Sequence, residues 1–331
     1  ECRLAARAHA DPAFYNTNNA ADDLEAVRQA LGYERIVLFG GSYGTFFSFV
    51  YMRRHPEHVE SAVLTGVFAP GFQPLPGAPD GAQHALDDLV ARCRDDRVCH
   101  RHFPKFREHF NAVLARFDRG PVPVRLKQRG SSVILRLSKE VLVDRVRQVL
   151  YDPQNAAYVP VTFELAYKGN YSALADMING ISLALAGAVN GGAFLSYTCA
   201  DEIPFISAAA MADAARSSFA GDLRAKAQQR ACLLWRVPTM PPSFNQPVRT
   251  DIPTLLIMGS DDPATPPTYA RRALPYLKNG SAVVVQGAGH VTETACTNDL
   301  VAKFISNPTG FRITGSPCRT RYTPPPFALA P

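Results

Sequence analysis

Apolar positions along the chain follow a strand–helix rhythm at both ends, with a long helical stretch between them. Residues 19–32 (NAADDLEAVRQALG) put Leu24, Val27 and Leu31 on one face at helical spacing, and Gly32 suits a C-terminal stop. The unbroken apolar run at residues 36–39 (IVLF) predicts a buried strand. Residues 45–54 predict a helix that ends near His55 and Pro56, and residues 59–66 (VESAVLTG) predict a second strand. Helix and strand alternate, as a mostly parallel α/β sheet requires.

The rhythm changes after Pro70. Residues 71–80 are rich in Pro and Gly and read as a linker. From there to about Trp235 the signals are mainly helical, at residues 85–92, 106–117, 140–150, 156–167, 172–188 and 223–234. Residues 122–126 and 133–137 predict a short hairpin around Arg129 and Gly130. A proline-rich loop at 238–253 leads back to a buried strand at 253–258 (PTLLIM), a helix at 269–277, a strand at 281–286 (SAVVVQ) and a last helix at 299–305. The expected organisation is a first core part at 1–72, a helical cap domain at 73–248 and a second core part at 249–331. No internal repeat is apparent.

Composition narrows the class. The chain has 331 residues, 47% hydrophobic and 19% charged, which suits a globular fold with a sizeable core. No stretch reads as a clean membrane span. The longest apolar region, 181–197, is broken by Asn190 and the glycines beside it, and predicts a buried helix and loop. The net charge of +6 is spread along the chain. One basic cluster (Arg125, Lys127, Arg129, Arg136, Lys139) reads as a solvated face, because no nucleic-acid motif accompanies it.

Seven cysteines are many for a cytosolic enzyme. Six could pair as sequence neighbours, Cys93–Cys99, Cys199–Cys232 and Cys296–Cys318, although spacing alone does not fix connectivity. Such pairs imply an oxidising compartment, secreted or periplasmic, and each bridge adds about 2–4 kcal/mol. Cys93 and Cys99 with His100 and His102 also carry a trace of a metal site, but a small disulfide loop needs no further ligands and no second ligand cluster appears, so neither a metal nor a cofactor is expected. Cys2 is left over. The chain lacks an initiator Met and a signal-peptide pattern, so its beginning reads as partway into a fold, with the partner of Cys2 upstream.

The chemistry concentrates at Gly40-Gly41-Ser42-Tyr43-Gly44, a G-x-S-x-G string between a predicted strand and a predicted helix. A serine hydroxyl at the tip of such a turn stands clear of the sheet. The turn crowds the backbone, and glycines at 40 and 44 are expected to relieve that crowding. The amide of Tyr43, at the helix start, is a candidate oxyanion donor. Serine needs a base, and the base needs an orienting carboxylate. In an open α/β sheet reactive groups collect past the carboxyl ends of strands. Ser42, Asp262 and His290 meet that condition, in the chain order of α/β-hydrolases, with Asp261 as a neighbouring candidate acid.

These motifs resemble the α/β-hydrolase peptidases of the prolyl-iminopeptidase and tripeptidyl-aminopeptidase group. The elbow G-x-S-Y-G-T is matched by Gly40 to Thr45, and a G-x-x-D-P-x-T-P run by Gly259, Asp262, Pro263, Thr265 and Pro266. A G-x-G-H turn with a following Cys is matched by Gly287, Gly289, His290 and Cys296. The resemblance spans most of the chain, weakly through the insertion, and selects Asp262 as the acid. It implies an α/β-hydrolase fold with a mainly helical cap, and cleavage of residues from free peptide N-termini. Family members begin with several strands and a His-Gly-Gly-Pro-Gly-like loop that gives a second oxyanion donor. This chain has neither, so its N-terminal strands are expected to be missing, supplied by a full-length chain. One lost donor costs about 3 kcal/mol.

The resemblance also implies cap carboxylates that hold the substrate's α-amine. The candidates are Asp201 and Glu202, in the segment CADEIP, with Trp235 as a candidate pocket wall. The expected partner is a peptide or a small ester or amide substrate, with no nucleic acid and no membrane. The leading expectation is a serine exopeptidase acting through an acyl-enzyme on Ser42. The alternatives are an esterase or amidase on small molecules, and an inactive fragment or binding domain.

Overall fold

A computed structural model of the chain describes residues 2–8, 10–72, 75–128, 131–291, 293–313, 318 and 322–331. The core is a four-stranded parallel sheet in the order β1 (Ile36–Gly41), β2 (Val59–Thr65), β5 (Thr254–Gly259), β6 (Gly280–Val285). Two further strands, β3 (Val122–Gln128) and β4 (Ser131–Leu137), form the predicted antiparallel hairpin. Its turn, Arg129 and Gly130, lies outside the described residues, as does the side chain of Lys127 in the basic cluster.

Burial explains why the strands form where they do. β5 is buried at every position, and β2 at every position but Glu60, as continuous apolar runs demand when both faces of a parallel sheet are covered. Alternate residues of β2 serve opposite faces. Ala62 and Leu64 join Phe46, Phe49 and Val50 of the helix Tyr43–Arg54, whereas Val63 joins Leu255, Ile257 and Phe304 on the other side. β1 is the outer strand. It buries Leu38 but leaves Phe39 59% exposed. The helix Thr17–Ala30 is locked to the elbow helix by buried Glu25, which accepts from Arg28 at 2.7 and 2.8 Å and from the Tyr51 hydroxyl at 2.8 Å. The Arg28 guanidinium holds the Glu25 carboxyl well below the usual carboxylate range.

Between β2 and β5 the chain builds a large, mainly helical insertion with its own apolar core around Leu86, Phe110, Leu142, Phe163 and Leu174. The helix Phe106–Phe117 has the predicted limits, and Lys139–Val149 and Leu223–Trp235 lie within a residue of theirs. Residues 156–167 do not make one helix. They divide into Pro153–Ala156 and Val159–Tyr167, because Pro160 has no N–H and its ring excludes a continuous turn. Pro275 likewise turns the end of the predicted 269–277 helix into a 3₁₀ segment, Leu274–Tyr276. Region 181–197 forms the expected helix and break, but it is not buried. Leu174, Ala175 and Ile178 of the helix Ser172–Ala188 pack inward, while its later turns extend past the core and leave Leu183 57% exposed. Among the described residues, no single helix is long and apolar enough to cross a membrane.

Three disulfides form, Cys93–Cys99, Cys199–Cys232 and Cys296–Cys318, the sequence-neighbour pairs. They fit an oxidising, extracytoplasmic environment. The first removes both thiolates from the metal reading of that loop. The side chain of Cys2 lies outside the described residues.

Phe110 anchors the insertion's core. It is fully buried, stacks on Phe163 at 4.4 Å and meets Phe219 edge-on at 5.4 Å. Phe110→Ala is expected to cost about 3–5 kcal/mol in urea unfolding. A loss below about 1 kcal/mol would show that this cluster does not hold the insertion together.

Candidate active site

β1 ends at Gly41 and the next helix begins at Tyr43, so Ser42 alone makes the turn. It does so at φ 53° and ψ −121°, in the left-handed half of conformational space that a side chain disfavours. Three contacts hold it there. The Ser42 amide donates to the Thr65 carbonyl at the end of β2 (3.0 Å), the Thr45 amide donates to the Ser42 carbonyl (2.9 Å), and the Thr45 hydroxyl lies 2.7 Å from that same oxygen. Gly40 is required by close approach, since a Cβ there would sit 2.5 Å from the Gly44 carbonyl oxygen. The expectation for Gly44 itself is corrected. A Cβ there meets nothing within 4 Å, because it is Gly44's backbone, not its missing side chain, that faces Gly40. Tyr43 opens the helix, so its N–H has no intrahelical acceptor.

Asp262 lies in the turn after β5 and is completely buried. Its Oδ1 accepts from the amides of Ala264 (2.7 Å) and Thr265 (2.8 Å). Its Oδ2 accepts from the Thr265 hydroxyl (2.7 Å) and meets His290 Nδ1 at 2.8 Å. Burial pushes this carboxyl upward, but the His290 charge and the Thr265 bonds outweigh it, and the group sits below the usual carboxylate value. Asp261 points elsewhere and accepts from Ser260 Oγ at 2.5 Å. His290 follows β6. Its amide donates to the carbonyl of Tyr151 in the insertion (2.8 Å), and its ring lies 4.7 Å from that of Tyr151. A Cβ on Gly66, just past β2, would come within 3.0 Å of His290 Cε1, and one on Gly41 within 3.2 Å of Val291. The His290 loop therefore lies over the carboxyl ends of β1 and β2, where Ser42 stands. The described hydrogen bonds include none between the Ser42 hydroxyl and His290, a bond that is commonly loose without substrate.

Residues 6–292 match a family model described as alpha/beta hydrolase fold. The chain belongs to the alpha/beta-hydrolase fold family. Among curated proteins, it is 32% identical over 90 residues to the serine protease Hip1 of Mycobacterium tuberculosis, covering 26% of this chain and 17% of that protein. It is 36% identical over 114 residues to a putative proline iminopeptidase of Mycoplasma pneumoniae, covering 31% and 35%. The match thus spans about a third or less of these relatives' length. A solved serine hydrolase from Cycloclasticus zankles aligns over 88% of this chain and 72% of its own, at 14% identity and a TM-score of 0.41.

In this alpha/beta-hydrolase fold, the space beside Ser42 is a cavity of about 150 Å³ bounded by the core and the insertion, with Phe68, Arg147, Tyr151, Glu202 and Arg224 in its wall. Burial, reinforced by neighbouring Asp201, pushes the Glu202 carboxyl up to about 7, against an opposing pull from Arg224. The other two substrate-side candidates are not part of that wall. Asp201 is 1% exposed and turns to Thr17, accepting from its amide at 2.9 Å and its hydroxyl at 2.5 Å; the same hydroxyl lies 2.7 Å from the Tyr43 hydroxyl. Asp201 therefore ties the insertion to the start of the helix Thr17–Ala30, and through the Thr17 hydroxyl to Tyr43. Trp235 is buried and donates to Ser196 Oγ at 2.9 Å, fastening two helices of the insertion. A larger cavity, about 680 Å³, opens on the far side of the Asp261 turn and includes neither Ser42 nor His290. The sequence reading missed Arg147 and Arg224. Arg147 had left a signal, since it occupies the apolar face that Val143 and Val146 define on their helix.

The two elbow glycines give opposite expectations. Gly40→Ala must displace backbone and is expected to lose about 1–3 kcal/mol in chemical denaturation. Gly44→Ala, with open space and a helical position, is expected to stay within about 0.5 kcal/mol of the parent. Equal losses would mean that Gly44 is also confined.

Proposed function

We propose that this protein is a serine hydrolase that breaks ester or amide bonds, peptide bonds included, through an acyl-enzyme on Ser42. The observation that carries this reading is a serine at positive φ on a strand–helix turn, with the buried His290–Asp262 pair on the same edge of the sheet. In the first step Ser42 Oγ attacks the carbonyl carbon and its proton passes to His290 Nε2. Asp262 holds Nδ1–H and favours the imidazolium. The amide of Tyr43 receives the developing oxyanion. His290 then protonates the leaving group, whose bond to the carbonyl carbon breaks; a water deprotonated by His290 attacks the acyl carbon, the bond to Ser42 Oγ breaks, and His290 returns the proton to Oγ as the acid leaves. Three disulfides support an extracytoplasmic site of action.

A narrower reading, removal of residues from free peptide N-termini, is favoured by Glu202. It is a carboxylate in the wall of the Ser42 cavity with a cation's natural complement. The name of one curated relative, a putative proline iminopeptidase, agrees with that reading.

A fluorophosphonate probe is expected to label the parent chain and to leave Ser42→Ala unlabelled. Failure of the folded parent to react would overturn the hydrolase reading for this chain. For the narrower reading, peptides with a free N-terminus are expected to be cleaved at least about tenfold faster than their N-acetylated forms. Because the Glu202 pKa is raised to about 7, the group is neutral below that pH and anionic above it. The kcat/KM for amine substrates is therefore expected to rise through pH 7, with Glu202→Gln losing about 10–100-fold and the Glu202 part of that rise. Equal rates on blocked peptides would leave only the broader reading.

A further inference from the structure

The wall that faces Ser42 across the small cavity carries two guanidinium groups and one carboxylate. On the insertion helix Lys139–Val149, one carboxylate, Asp144, serves three guanidinium groups: Arg145 at 2.6 Å, Arg147 at 3.2 Å and Arg224 at 2.7 Å. Arg145 turns away to Ser182 and Gln148. Arg147 and Arg224 line the Ser42 cavity with Glu202, while Asp144 holds the two guanidiniums from behind.

Arg147 is 5% exposed, and among the described residues its Nε has no hydrogen-bond partner although the rest of its head is engaged by Asp144 and the Tyr151 hydroxyl. Gln228, 7% exposed, lines the same cavity with an amide oxygen that also lacks a partner. Buried polar groups are rarely left so, and an amide can present either end to a ligand. Gly77 keeps the place open. At φ +92° it passes over both arginines, and a Cβ on it would sit 3.0 Å from Arg224 Cβ and 4.0 Å from Arg147 Nε. Two guanidiniums with spare donors, an adjustable amide and a gap are the complement of a carboxylate.

The cavity is lined by Ser42 and by Tyr151 and Thr265, both of which touch His290, so a group held in it lies beside the reacting serine. We propose that Arg147, Arg224 and Gln228 form an anion subsite beside Ser42, and that preferred substrates carry a carboxylate on their acyl part, a few bonds from the scissile carbonyl. A peptide or amide of a short dicarboxylic or acidic amino acid belongs to this class, and Glu202 then takes an amine on the same acyl group. The proposal rests on the acyl-hydrolase reading above.

The test compares mono-p-nitrophenyl glutarate with p-nitrophenyl valerate, which match in chain length and differ in the terminal carboxylate. The parent protein is expected to favour the glutarate ester by about tenfold or more in kcat/KM. Arg224→Gln, a partly exposed position, is expected to bring that ratio close to one, and Arg224→Lys to restore part of it. A parent ratio near one, or a ratio unchanged in Arg224→Gln, overturns the subsite. If neither ester is turned over and the fluorophosphonate probe does not react, the hydrolase reading has failed. Calorimetric titration with glutarate then decides the subsite separately. Binding by the parent and its loss in Arg224→Gln supports it, and no binding by a folded parent refutes it.

Discussion

A carboxylate with no exposed surface must find its full complement of donors inside the protein, and Asp262 finds two amides, one hydroxyl and one imidazole. The donors on its own loop, Ala264 and Thr265, fix the turn after β5. The fourth, His290, fixes the loop after β6. Since β1, β2, β5 and β6 run parallel, their carboxyl ends share one edge of the sheet, and that one charge organises the turns after β5 and β6 while the positive φ of Ser42 organises the turn after β1. The neighbour Asp261 shows how narrow the constraint is, for one residue earlier the same side chain bonds only Ser260 and looks away from the histidine.

The core brings Ser42, Asp262 and His290 to one edge, and the insertion brings Arg147, Glu202 and Arg224 to the cavity beside Ser42. Each layer has an apolar core to which the other lends a few side chains, and among the described residues no disulfide joins them. Cys93–Cys99 and Cys199–Cys232 close loops within the insertion, and Cys296–Cys318 closes one beyond β6. Aromatic contacts join the layers, Tyr43 with Tyr197 and Phe46 with Phe244, together with polar ones, among them Asp201 with Thr17 and Tyr151 with His290. Each polar contact is buried or partly buried, where removal of one partner leaves the other unsatisfied.

The sheet was legible because its strands are unbroken apolar runs and its turns carry glycine. So was the elbow, whose chemistry demands a local string of residues. What escaped the sequence was whatever depends on a distant partner. Asp201 and Glu202 are adjacent and chemically alike, and only Thr17, 184 residues away in the chain, separates a strut from a wall of the cavity. Trp235 was placed in the pocket for want of knowing Ser196. Gly44 was credited with relieving a crowding that its own backbone causes at Gly40. The break before Val159 was readable from Pro160, whereas the exposed apolar turns after Ile178 were not, since composition says nothing of how far a helix outruns its core.

The bond from the His290 amide to the Tyr151 carbonyl belongs to the main chain at both ends. Any residue at position 151 offers the same oxygen, and any but proline at 290 offers the same hydrogen. The joint between insertion and base is therefore silent to side-chain replacement. It answers instead to changes in length. A residue added to or removed from the segment between the helix ending at Val149 and the one starting at Pro153 would carry that oxygen away from the histidine, however conservative the residue chosen.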